Sequence, residues 1–144
     1  MDLVHCIYCS AARTDFSPAD LATLLTKSRE KNSTAGLTGM LLYEDRTFFQ
    51  VLEGDRPVVE ALLERLTTDP RHERLTKIVL EPIEERSFAQ WTMGYSRVSK
   101  NELASIPGLN DFFAQGRSYM DLGEGRAKTL LSAFKQGAWR LSLS

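Results

Sequence analysis

Residues 3–10, Leu-Val-His-Cys-Ile-Tyr-Cys-Ser, form a near-continuous apolar run with β-branched and aromatic members. A run this short and this unbroken predicts a strand covered on both faces. That requirement constrains the rest of the chain, which must supply one layer above the sheet and another below it. Met40-Leu41-Leu42-Tyr43 and Phe48-Phe49 repeat the demand. With 144 residues, 42% apolar and 26% charged, the chain can meet it as one packed domain.

The segments after the first strand predict how it is covered. Residues 10–15 read as a loop. Ser17-Pro18-Ala19-Asp20 opens a helix, with Ser17 as cap, Pro18 in the first turn and Asp20 closing a capping box. This helix runs to about Asn32 or Ser33, with Gly36 shortly beyond. Residues 37–44 and 47–54 are two strands, joined across Asp45-Arg46 as a tight antiparallel hairpin. A second helix follows with Asp55 as its cap and Val58, Val59, Leu62, Leu63 and Leu66 as its apolar stripe. Pro70 ends it near Asp69. Residues 75–81 and 93–98 are a fourth and a fifth strand. The order fits a ferredoxin-like α/β (α+β) sandwich, βαββαββ, with the first and third strands side by side in the sheet and both helices on one face. Residues 101–116 and 124–139 read as two short amphipathic helices, which would cover the other face unless a partner does.

Charge and cysteines exclude several classes. Lys and Arg number 18 against 19 Asp and Glu, a net charge of -1, so this is not a nucleic-acid coat held by phosphate attraction. No apolar run approaches the roughly 18 residues of a membrane span. The first residues lack a basic leader, so a cytoplasmic location is expected. Cys6 and Cys9 match C-x-x-C, but positions i and i+3 of a strand point to opposite faces, which favours buried core thiols over a redox or metal pair. With two Cys and two His, no metal site is expected.

Two interruptions of the apolar pattern are more informative. On the first helix, Leu21, Leu24 and Leu25 centre the buried stripe, and Ser28 and Asn32 fall on the same line as Leu21. Either that end of the helix frays into solvent, or the polar edge of a ligand lies against it. Gln50 interrupts the third strand, where an unsatisfied buried amide would cost about 1–3 kcal/mol. It shares a face with Phe48 and Leu52 and, in the expected sheet, neighbours Tyr8. The two form an ordinary buried pair, or they face a flat, heteroatom-rich ligand between the helices, walled by Leu24, Leu41 and Leu66.

Five stretches carry a resemblance: Leu-Leu-Thr-Lys-Ser-Arg-Glu-Lys-Asn at 24–32, Gly-Leu-Thr-Gly-Met-Leu-Leu-Tyr at 36–43, Phe-Phe-Gln-Val-Leu-Glu-Gly at 48–54, Asp-Pro-Arg-His at 69–72, and Arg-Ser-Phe-Ala-Gln-Trp-Thr-Met-Gly at 86–94. In this order and spacing the chain resembles the BLUF family of blue-light sensors over about residues 2–98. The resemblance implies a noncovalent FAD between the two helices, with Tyr8 and Gln50 as the photoactive pair. Asn32 would bond the flavin edge, with Ser28 and Lys31 near the ring and Phe48 in the pocket. Arg71 and His72 would lie near the outer edge or side chain, unless they form a solvated helix-end cluster. Light would drive proton-coupled electron transfer from Tyr8 to the flavin through Gln50, left rotated or as its imidic tautomer. Trp91 and Met93 would relay the change. Residues 1–98 would then be the sensor and 99–144 a helical cap or transmitter. The expected output of this stand-alone, non-enzymatic member is contact with an unidentified downstream protein, or a changed homo-oligomer.

Two rivals share the fold. A phosphate hydrolase like acylphosphatase would need an anion cradle and an Arg after the first strand; Arg13 qualifies, but Ser10-Ala11-Ala12-Arg13 lacks the glycines of a cradle. A colourless interaction module would have no reason to keep Tyr8, Asn32 and Gln50 together.

Overall fold

The computed structural model describes residues 2–44, 46–68, 72–89, 92–96 and 123–135. Among these, the elements run β1 (Leu3–Ala12), α1 (Pro18–Ala35), β2 (Thr38–Glu44), β3 (Thr47–Asp55), α2 (Arg56–Thr67), β4 (His72–Pro82), β5 (Gly94–Ser96) and α3 (Glu124–Lys135). The strands form a five-stranded sheet ordered β4-β1-β3-β2-β5. The first four pair antiparallel, and β5 adds parallel to β2. This is the expected ferredoxin-like α+β sheet, with β1 and β3 paired in its interior.

Local chemistry sets the ends of α1. Ser17 Oγ accepts from the Asp20 backbone N–H at 3.1 Å, and Asp20 Oδ2 accepts from the Ser17 N–H at 3.0 Å, closing the capping box. The helix continues to Ala35, slightly past the expected end, because Gly36 is the residue that takes the left-handed cap, at φ 72°. Of the two readings of this end, fraying at Asn32 is the one that the continued helix removes. Asp55 does precede α2, but its carboxylate makes no capping bond. Its Oδ1 accepts instead from the Asp2 backbone N–H at 2.9 Å.

β1 reaches Ala12, into the stretch read as a loop. The Ala12 N–H donates to Arg46 O at 2.8 Å, and Ala11 and Ala12 pair with Glu73 and His72. β4 consequently begins at His72 and not at Leu75. Ile7 pairs with Val79 but Tyr8 pairs with Lys77, so β4 carries an extra residue beside Tyr8. β5 begins one residue after Met93; the predicted positions 97 and 98 lie outside the described residues.

One face of the sheet packs Val4, Cys6, Tyr8, Leu41, Phe48 and Leu52 with Leu21 and Leu25 of α1 and Val59 and Leu63 of α2. On the other face Ile7, Met40, Leu42, Phe49 and Val51 are fully buried. Each fully buried side chain of this size stabilises the fold by about 1.5–3 kcal/mol. α3 lies on this second face, as expected. His5, which points away from Val4 and Cys6, meets Glu81 Oε1 at 2.8 Å, and Lys128 of α3 donates to Glu81 Oε2 at 3.2 Å. Ala127, Leu130 and Leu131 are buried beneath it. The predicted helix at 101–116 and the end of the last one, 136–139, lie outside the described residues.

Candidate functional site

The β1–β3 register places Tyr8 directly opposite Gln50, on the face that carries α1 and α2. The Tyr8 phenol donates a short hydrogen bond to Gln50 Oε1. Burial pushes the Tyr8 phenol well above its ordinary pKa, and the Cys6 and Cys9 thiols add to this, so the phenol keeps its proton. Gln50 Nε2 donates to Met93 Sδ at 3.4 Å, and Met93 is buried. A phenol, an amide and a thioether thus form one chain of hydrogen bonds, from the middle of the sheet to the residue before β5. The thioether is a weak acceptor, so the amide N–H is held loosely.

α1 supplies the second side of the site. Asn32 is buried, and its Nδ2 donates to Thr92 O at 2.6 Å. Three residues earlier, Arg29 Nε donates to Met93 O at 2.9 Å. Two side chains of one helix therefore hold two consecutive carbonyls. Arg29 and Thr92 were invisible to sequence reasoning. Arg29 lies one position from the apolar stripe, and nothing in a sequence shows which backbone carbonyl a guanidinium will reach.

Above Gln50 the packing is open. Phe48 and Leu52, its neighbours on the same face of β3, are 1% and 0% exposed, yet Gln50 between them is only partly buried. Such exposure in the interior of a sheet, on the face that carries both helices, points to a slot between them. Leu24 and Ser28 of α1 and Leu62 and Leu66 of α2 are likewise only partly buried. Among the described residues, neither the Ser28 hydroxyl nor Asn32 Oδ1 has a recorded hydrogen-bond partner, although Thr23 and Thr26 of the same helix bond back to carbonyls. The slot therefore offers apolar walls and unspent polar atoms, which suits a flat ligand with a hydrogen-bonding edge.

The other predicted residues divide. Leu41 is buried opposite Gln50 on β2, and Leu24 and Leu66 pack against the same core. Phe48 is a core plug, edge-on to Phe16 at 5.2 Å and 4.8 Å from Tyr43. Lys31 is exposed on α1 and is not part of the cluster. Its position, one residue before Asn32, turns it off the buried stripe. His72 opens β4 opposite Ala12, so it stands in a strand and not in a helix-end cluster. Its side chain, Arg71 and Trp91 lie outside the described residues. Cys6 and Cys9 are free, buried thiols on opposite sheet faces, as expected.

Residues 3–94 match the family model described as BLUF, sensors of blue-light using FAD. Photoactivated adenylate cyclase subunit beta of Euglena longa is 32% identical over 109 residues, 75% of this chain and 12% of its own length. Subunit beta of Euglena gracilis aligns with the same identity and coverage. This chain therefore spans about an eighth of the curated relatives it matches, 12% of each. Among solved structures, BlsA in its ground state superposes with a TM-score of 0.80 at 29% identity, over 97% of this chain and 91% of that one. BlrB, a BLUF protein in its dark state, superposes with a TM-score of 0.68 at 30% identity, over 92% and 97%. By a family match over most of its length and by its fold, the chain belongs to the BLUF family, sensors of blue light that use FAD.

Proposed function

We propose that FAD sits noncovalently in the slot between α1 and α2 and that the Tyr8–Gln50 pair converts blue light into a change of hydrogen bonding. The partly exposed amide of Gln50, in the interior of the sheet and bonded to Tyr8, carries this reading. Leu24, Leu41 and Leu66 would wall the ring, and Ser28 and Asn32 would meet its polar edge. Bound there, FAD supplies the light absorption and, when excited, the oxidising power that draws on the phenol.

The chain's own residues do the rest. Tyr8 holds its proton in the dark and releases it along its bond to Gln50 Oε1 when the phenol is oxidised. Gln50 presents a donor and an acceptor end. Turning over, or passing to the imidic tautomer, exchanges the end that faces the slot, and its N–H leaves Met93. Both residues return to their starting state, so the device is a switch and not a turnover catalyst. The displaced contact at Met93 lies beside β5, which gives the switch a two-state element to bias. In this reading residues 1–98 sense light and residues 99–144, with Trp91 and Met93 before them, pass the signal to a partner protein or a second copy in the cytoplasm. No described helix is long and apolar enough to cross a membrane.

Purified protein decides between outcomes. A yellow preparation should show a reversible red shift under blue light. Tyr8→Phe and Gln50→Leu should each abolish the shift while retaining flavin. A normal photocycle in either variant refutes the relay, and a colourless protein that takes up no FAD removes the whole reading.

A further inference from the structure

Beyond the photoactive pair, we infer that Arg29 is a positioning residue for Gln50, acting through the backbone of Met93. The inference deepens the function proposed above and rests on it for its consequence in light, but its geometry stands alone. Arg29 Nε donates to Met93 O at 2.9 Å, and Gln50 Nε2 donates to Met93 Sδ at 3.4 Å. Met93 is thus anchored at its carbonyl by α1, while its sulfur accepts a weaker bond from β3. Its side chain is 1% exposed, so it has little room for another rotamer.

The neighbouring bonds make the grip specific. Asn32 holds the Thr92 carbonyl from the next turn of α1, at 2.6 Å. Thr92 and Met93 lead directly into β5, whose Gly94 pairs with Met40 of β2. A bond to a charged donor is about twice as strong as one between neutral groups, and the partly buried guanidinium is poorly hydrated. Remove it and the Met93 carbonyl loses its anchor, the sulfur drifts from Gln50, and the amide loses its dark-state acceptor. α1 therefore does more than wall the slot: through Arg29 it sets which way the Gln50 amide faces.

The test uses the full chain, without and with FAD. Without flavin, solution NMR follows the Gln50 side-chain amide and the Met93 methyl, assigned from Gln50 and Met93 variants. In Arg29→Met both signals should move, and hydrogen exchange at Gly94–Ser96 should quicken about tenfold, the worth of a hydrogen bond to a charged group. Arg29→Lys, which keeps a cation, should restore part of both. Lys27→Met, an exposed change on the same helix, should move neither. If Arg29→Met fails to fold, Arg29→Gln is the milder lesion read by the same signals. Faster exchange with an unmoved Gln50 amide would make Arg29 a mere brace and overturn the inference. With FAD bound, Arg29→Met should change the rate of dark recovery several-fold; recovery at the unaltered rate also overturns it. A protein that binds no FAD sinks the photosensor reading instead, and the flavin-free signals still decide the role of Arg29.

Discussion

Glu53 is fully buried and accepts three hydrogen bonds: from Thr38 Oγ1 at 2.9 Å, from the Ser87 N–H at 2.6 Å and from the Phe88 N–H at 3.0 Å. Arg86 completes the cluster, donating to Thr38 Oγ1 at 2.9 Å and to Gly36 O at 2.8 Å. One carboxylate thus ties β3 to the segment that follows β4. Glu53→Gln is nearly isosteric but keeps only one acceptor oxygen. Placed at Oε1, that oxygen still serves Thr38 and Phe88, now as a neutral acceptor, while an NH2 group faces the Ser87 N–H. The loss is one charge-assisted bond, worth about 1.5–3 kcal/mol, plus weakening of two others. Water can reach the exposed Ser87 and recover part of it, which leaves a destabilisation of about 2–4 kcal/mol. With a urea dependence of about 2 kcal/mol per molar, the midpoint should fall by roughly 1–2 M. Thr38→Val removes one of the same bonds, so the double variant should lose less than the sum of the singles by about 0.5 kcal/mol or more. Hydrogen exchange at residues 86–89 should quicken alongside. A midpoint within the scatter of surface substitutions, about 0.5 kcal/mol, together with unchanged exchange would refute the reasoning.

Gly39 admits no side chain, because a Cβ there would stand 2.0 Å from Val51 O on the paired strand. Gly39→Ala should destabilise the protein by at least about 3 kcal/mol, seen as a lower melting temperature; full stability would show that β2 and β3 can part at this point. Burial pushes the Cys6 thiol up to about 12, with Lys77 opposing, and burial alone does the same for Cys9. Above the ordinary value of 9.0 the unfolded chain loses these protons while the folded chain keeps them. Stability should therefore fall as pH rises from 9.0 towards 10.0, by up to about 1.4 kcal/mol per pH unit for each thiol, before the raised Tyr8 and Tyr43 phenols add a loss of the same sign above 10.0; in that window Cys9→Ala should halve the slope in urea melts. A flat profile would mean that the thiols are hydrated. Lys128→Met removes the link from α3 to Glu81, a partly exposed pair worth less than about 1 kcal/mol, so hydrogen exchange in α3 should quicken while the global midpoint barely moves. A large global loss would make α3 integral to the core.

The sequence alone determined the layered architecture and most of the candidate slot. Strand runs at residues 3–10, 37–44 and 47–54 each demanded cover on both faces, and the capping box at Ser17 and Asp20 marks where α1 begins. Ser28, Asn32 and Gln50 stood out because a polar side chain on an apolar stripe has a local signature, readable from periodicity without a partner. Tyr8 and Gln50 could be paired once the order of elements suggested that β1 and β3 adjoin. Tertiary structure decided what depends on who lies opposite. It carried β1 on to Ala12, because the carbonyl of Arg46 was within reach, and it diverted the Asp55 carboxylate from its helix to Asp2. It also turned Lys31 out to solvent and brought Arg29 and Asn32 to the carbonyls of Met93 and Thr92. Those carbonyls belong to the backbone, identical at every position, and only the fold brings one of them within 3 Å of a given side chain.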